Sequence, residues 1–189
     1  METEMNGATS SGTSEVLMQR GRLTVRTLRR LDIQGFDTVD ERYLAQVGRW
    51  RRLAFVLCAS LAGVGTALAS PATLLLLAPI AMIAAASPVH PFDLVYNYGI
   101  RYLTGTGPLP GRGAPSRFAC GVGSIWLLVT AWAFSAGHTT AGYVLGASLT
   151  SIALLVATTD ICVPSMIVRA VFGQPRPRSL NTAGASEVG

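Results

Sequence analysis

The sequence predicts an all-α protein: a four-span transmembrane helical bundle of two hairpins, with short interfacial helices on its cytoplasmic side. Two observations lead there. Asp, Glu, Lys and Arg are absent between Leu53 and Phe92 and again between Phe118 and Thr159, and a charge at a bilayer centre costs roughly 2.5 to 3.5 kcal/mol. Charged residues make up only 13% of the chain, about half the roughly 25% usual in soluble domains. Each charge-free stretch is about twice the ~20 residues of one span, and each is interrupted near its middle.

Taken in order, residues 1–36 are expected to be a disordered or basic surface-associated tail. METEMNGATSSGTS is small and polar, a composition that does not bury a core. From Glu15 to Leu31, Val16, Leu17, Leu23, Val25 and Leu28 lie among five arginines, which suits either a basic helix on a membrane surface or a plain basic tail. Gly35 breaks that pattern. The membrane domain, 37–172, then opens with Asp40 as a helix cap and Glu41 in the first turn. The helix is expected to run unbroken through Tyr43, Leu44, Val47 and Trp50 into the first span, with Trp50 as an interfacial aromatic.

The four spans are placed at about 51–69, 72–88, 118–136 and 140–161. The first hairpin turns at Ala69-Ser70-Pro71-Ala72, where proline cannot continue the preceding helix. The second turns at Ser135–Thr140, where Gly137 is suited to end one. Some spans are short, which implies little tilt or a thinned bilayer. Gly142, Gly146 and Thr150, Ala59 and Gly63, and Ala119 and Gly123 follow a small-xxx-small spacing that lets helices approach closely, within one chain or in a homodimer. A glycine- and proline-rich loop fills 104–116. Pro164 is expected to stop or kink the fourth span, followed by a short surface helix over 165–172 and a disordered tail, 173–189. A cleaved leader is not expected, because about fifty polar residues precede the first apolar segment.

All fifteen basic residues are arginine, in 20–52, 101–117 and 169–178. Four spans put those regions on one side of the membrane, and the positive-inside rule makes that side the cytoplasm, with both termini there, as in an inner-membrane protein. The arginines flank span ends, so anionic headgroups explain them better than nucleic acid does. The expected partners are the bilayer, a second copy of the chain, or a cytoplasmic protein.

The candidate site lies in SPVHPFDLVYNYGIRYLTGTGPLP, residues 87–110. Pro91 fits the first position of a helix and Asp93 its first turn. A helix from Pro91 to Leu103 puts Asp93, Asn97 and Arg101 on one face, with His90 near the same stripe. That face is either the polar side of an interfacial helix or part of a site. Cys58, Cys120 and Cys162 all fall in the cytoplasmic halves of their spans, with Asp160 beside Cys162. As a thiol-dependent redox or sulfur-handling site, Cys120 and Cys162 would react, His90 and Asp93 would move protons and orient, and Asn97, Arg101 and Asp160 would bind substrate. As packing residues, the same cysteines would be small apolar groups. No tight CxxC or HxxxH pair assigns a metal, and GTGPLPGRG does not lie between a strand and a helix, so no nucleotide cofactor is assigned. The leading expectation is a non-enzymatic membrane scaffold or partner-binding protein. The alternatives are the thiol mechanism and a small dimeric transporter, whose spans lack a charge to couple to an ion.

The chain resembles a bacterial membrane family, domain of unknown function 4395. The likeness rests on Val39-Asp40 with Arg42, Pro115-x-Arg117-Phe118-Ala119, and the Cys162-Val163-Pro164-Ser165 exit from the fourth span. It covers roughly residues 37–172, and the His90-Pro91-Phe92-Asp93…Tyr96-Asn97 block looks like the mark of a subgroup. Many members of the family end span four with Cys-x-Gly-Cys. Here Ser165 stands at the second cysteine, so the resemblance implies that Cys162 would pair with Cys120 or a partner protein, if at all. It implies the fold and the membrane location and supplies no activity.

Overall fold

The structure, a computed structural model, describes residues 23–173. The tail expected at 1–14, all but Gly173 of that expected at 173–189, and residues 15–22 of the segment from Glu15 to Leu31 lie outside them. Among the described residues every regular element is helical: α1 (Val25–Ile33), α2 (Glu41–Arg51), α3 (Leu53–Ala67), α4 (Pro71–Ala86), α5 (Pro91–Val95), a π-helical turn (Tyr96–Ile100), α6 (Arg101–Thr104), α7 (Ala114–Ser135), α8 (Thr139–Thr159) and α9 (Val163–Phe172).

Two of these, α7 and α8, are long and apolar enough to cross a membrane. A third crossing counts only if α4 and the segment Pro91–Thr104 are one element, and those two meet at 86°. Four were expected. The reason for the shortfall is length, since α3 has 15 residues and α4 has 16, reaching about 22 to 24 Å at 1.5 Å per residue.

Both hairpin turns end their first helix in the same way. The N–H of Ser70 reaches the Gly65 carbonyl and that of Ala69 the Thr66 carbonyl; His138 and Gly137 do the same with Ala133 and Phe134. That double bond pattern needs a left-handed residue after the helix, supplied by Gly137 (φ 80°) and Ala69 (φ 44°). The Ser70 hydroxyl then accepts from the Thr73 N–H to start α4.

Helix α3 packs on α4 and α8, and α7 also packs on α4 and α8. Small residues face inward: Ala59, Ala62, Ala78, Ala81 and Ala131 are buried, whereas Leu61, Leu76, Ile83, Ile125 and Val144 point out. Large aliphatics outside and small residues inside are what helices packed in lipid use. The closest approach is between α3 and α8, where a Cβ on Gly146 would collide with the Thr66 hydroxyl and one on Gly63 would sit 3.3 Å from Thr150. Midway along α7, Ser124 donates to the Ala78 carbonyl of α4 and the Trp126 indole to the Leu145 carbonyl of α8. Outside this body, Leu31, Phe36 and Leu44 form a second small core.

Two helix boundaries require correction. Asp40 does cap α2, accepting from Arg42 and Tyr43, but the helix does not run unbroken, because Arg52 separates α2 from α3. At this break both Arg51 and Arg52 reach Asp160. Trp50 packs its ring 5.3 Å from Tyr96. The fourth long helix ends at Asp160 (φ 57°), before Pro164, which instead lies in the first turn of α9.

Candidate functional site

A cavity of about 130 Å³ lies between α3, α4, α7, α8 and the start of α9. Phe55, Leu77, Trp126 and Ile152 form much of its wall, and Cys58, Cys120, Cys162 and His90 all face it. The three cysteines are free. Sequence spacing placed them in one half of the bundle, and the fold brings them to one space, because α3 and α7 enter, and α8 leaves, at the same end.

His90 is held by its place before a helix. Its Nδ1 accepts the Phe92 N–H at 3.2 Å, capping α5. An accepting Nδ1 leaves the ring proton on Nε2, which lies 3.8 Å from the Cys58 sulfur. Burial, helped by the nearby Arg112 guanidinium and opposed by Asp93, pushes the imidazole down to about 4. At neutral pH it is therefore an uncharged donor aimed at a thiol.

The other predicted residues do not join it. The carboxylate of Asp93 takes a two-pronged contact from Arg112, at 2.9 and 3.1 Å, and both side chains are buried. Arg112 also lies over the Phe55 ring and donates its backbone N–H to the Pro88 carbonyl. Asn97 accepts from the Leu109 N–H, and Arg101 packs on Tyr102. The π-helical turn changes the register between them, so Asp93, Asn97 and Arg101 do not form one polar face. Asp160 is buried and holds Arg51 and Arg52, while its carbonyl accepts from Gln34. It joins α1, α2 and α8, and its carboxylate has no share in the cavity wall.

Arg112 was missed by sequence reasoning. Its signal was present: it is the lone charge in a glycine–proline loop, and Asp93 is a lone acid after a charge-free stretch. Three further arginines are also engaged. Arg117 donates to the Ala85 and Ala86 carbonyls at the end of α4, and Arg30 to that of Thr159 at the end of α8. Such contacts satisfy carbonyls that a helix end leaves open. Arg169 ties α9 to the Asp32 and Ile33 carbonyls.

Chemically, the arrangement is a wall of thiols without an ionic partner, since both Asp93 and Arg112 are committed to each other. Among the described residues no group of three or more His, Cys, Asp or Glu side chains is placed to hold a metal ion. Ser165 donates to the Cys162 sulfur and lies 3.1 Å from both it and the Pro115 carbonyl.

The sequence model of one family, described as Domain of unknown function (DUF4395), matches residues 48–171. No curated protein and no solved structure matches the chain.

Proposed function

We propose that this chain, which belongs to the family described as Domain of unknown function (DUF4395), is an integral membrane protein of four antiparallel spans, the short α3 and α4 and the longer α7 and α8. Its termini and charged residues lie in the cytoplasm, and it works there as a non-enzymatic scaffold that presents a rigid surface to a protein partner. The observation that carries this reading is the use made of charge. Arg30, Arg51, Arg52, Arg112, Arg117 and Arg169 each bind a carboxylate or a helix-end carbonyl at one end of the bundle. Side chains committed in this way fix a surface and leave little for acid–base work. The 86° bend before Pro91–Thr104 supports laying that segment along the membrane surface, with Leu94, Tyr98 and Leu103 exposed.

A second reading, a thiol-dependent redox or sulfur-handling protein, is favoured by the convergence of three cysteines on one cavity. One experiment separates them. Thiols trapped by acid in living cells, alkylated and mapped by mass should all be reduced and label only after denaturation if the protein is a scaffold. A Cys120–Cys162 disulfide or a persulfide would displace the scaffold reading in favour of the thiol one.

The topology has its own test. In a background without the native cysteines, Leu68→Cys and His138→Cys should both react with an impermeant maleimide added outside the cell. Reaction of His138→Cys alone would leave two spans rather than four.

A further inference from the structure

The cavity is a site in its own right, independent of whether its thiols react. An engineered cavity of about 150 Å³ walled by Leu, Ile and Phe stays dry and binds benzene. Here the space is about 130 Å³, so a molecule of nearly that size fits. Its wall differs from such a void in one respect. The imidazole of His90, buried to 3% exposure, brings an N–H donor whose sole partner among the described residues is the sulfur of Cys58 at 3.8 Å. Sulfur is a weak acceptor, and a buried donor gains from a better one.

The groups around His90 leave the ring uncharged. Phe92 stacks on one face at 5.5 Å, and Asp93 and Arg112 neutralise each other behind it. An ion entering the cavity would meet apolar walls and no countercharge, which is costly. An uncharged molecule with a carbonyl or ether oxygen meets neither penalty.

We propose that this cavity binds a small uncharged molecule of about benzene's size, largely apolar, that presents one hydrogen-bond acceptor to the Nε2–H of His90. The apolar part fills the space between Phe55, Trp126 and Ile152, and the acceptor replaces the Cys58 sulfur.

The test follows the ¹⁵N-labelled imidazole of His90 by NMR in the full detergent-solubilised chain, titrated with cyclopentanone, cyclopentane or cyclobutanecarboxylate. The ketone should move the Nε2–H signal saturably and bind about fivefold more tightly than the hydrocarbon, the worth of one net hydrogen bond. The carboxylate should bind at least tenfold more weakly than the ketone. Gly123→Leu should abolish the saturable shift by filling the space: Gly123 lines the cavity, and a Cβ there meets nothing within 4 Å. Because leucine also favours a helix over glycine, the variant should fold; Ala153→Val serves the same purpose should it not. Absence of a saturable shift with the ketone, a shift surviving the filling substitution, or equal binding of the carboxylate would each overturn the proposal.

Discussion

His90 is a neutral imidazole in the fold, and that state makes stability depend on pH. Unfolded, the ring titrates near 6.5; in the fold it is pushed down to about 4 by burial, with Arg112 adding and Asp93 opposing. Between those values the unfolded chain binds more protons, so stability rises with pH across that window. The contribution is complete above about pH 6.5 and is lost as pH falls towards 4, amounting to about 3 kcal/mol. His90→Asn keeps an acceptor for the Phe92 N–H and cannot titrate, so its thermal midpoint should fall less between about pH 7 and 4.5; parallel curves would refute this. Beside it, Asp93→Ala should destabilise by about 3 to 5 kcal/mol, because Arg112 would be left buried and unpaired. The double variant Asp93→Leu/Arg112→Met should recover most of that loss in the same melts. Ser165→Cys offers a third check. With the Ser165 oxygen 3.1 Å from the Cys162 sulfur, a mild added oxidant should take two electrons and close a disulfide that intact mass reports as the loss of two hydrogen atoms, a change the native pair cannot make.

At the scale of elements, the two hairpin turns differ in one informative residue. Gly137 takes a left-handed conformation freely, whereas Ala69 takes it at φ 44° and pays roughly 1 kcal/mol for its Cβ. Ala69→Gly should therefore raise stability by up to about 1 kcal/mol, and Gly137→Ala should lower it by a similar amount. Opposite signs in thermal unfolding are the expected result. Gly146→Ala should be worse, about 1 to 3 kcal/mol, because its Cβ would meet Thr66 across a rigid helix pair. These turns were legible in the sequence because proline and glycine act on their own backbone. Asp40 was legible for the same reason, as a cap bonds only its own first turn. The break at Arg52 and the π-helical turn were not legible. Each accompanies contacts with remote partners, Asp160 for Arg51 and Arg52, Trp50 and Thr106 for Tyr96, and Leu109 for Asn97, and no local spacing encodes those.

For the whole molecule, the convergence of the three cysteines could be read from topology alone, since ordering spans also orders their ends. The fate of the acids could not, because pairing Asp93 with Arg112 requires the loop to fold back over α5. Span length is where sequence and fold bear jointly on the membrane. Helices α7 and α8, with 22 and 21 residues, reach about 32 to 33 Å and suit a hydrocarbon layer of ~30 Å. Helices α3 and α4 fall about 6 to 8 Å short of it. If all four cross, one side of the bundle must thin the bilayer around it, at a fraction of a kcal/mol per Å, or a few kcal/mol in all. Arg117 and Arg52 oppose any deeper burial of the short pair, because they hold its arginine-bearing end at the level of charged groups. Reconstituted into bilayers of graded acyl-chain length, the protein should therefore resist unfolding best in short-chain lipid and lose stability steadily as the chains lengthen. A protein crossing only through α7 and α8 would show the reverse, with its optimum in the thicker bilayer that matches those two helices.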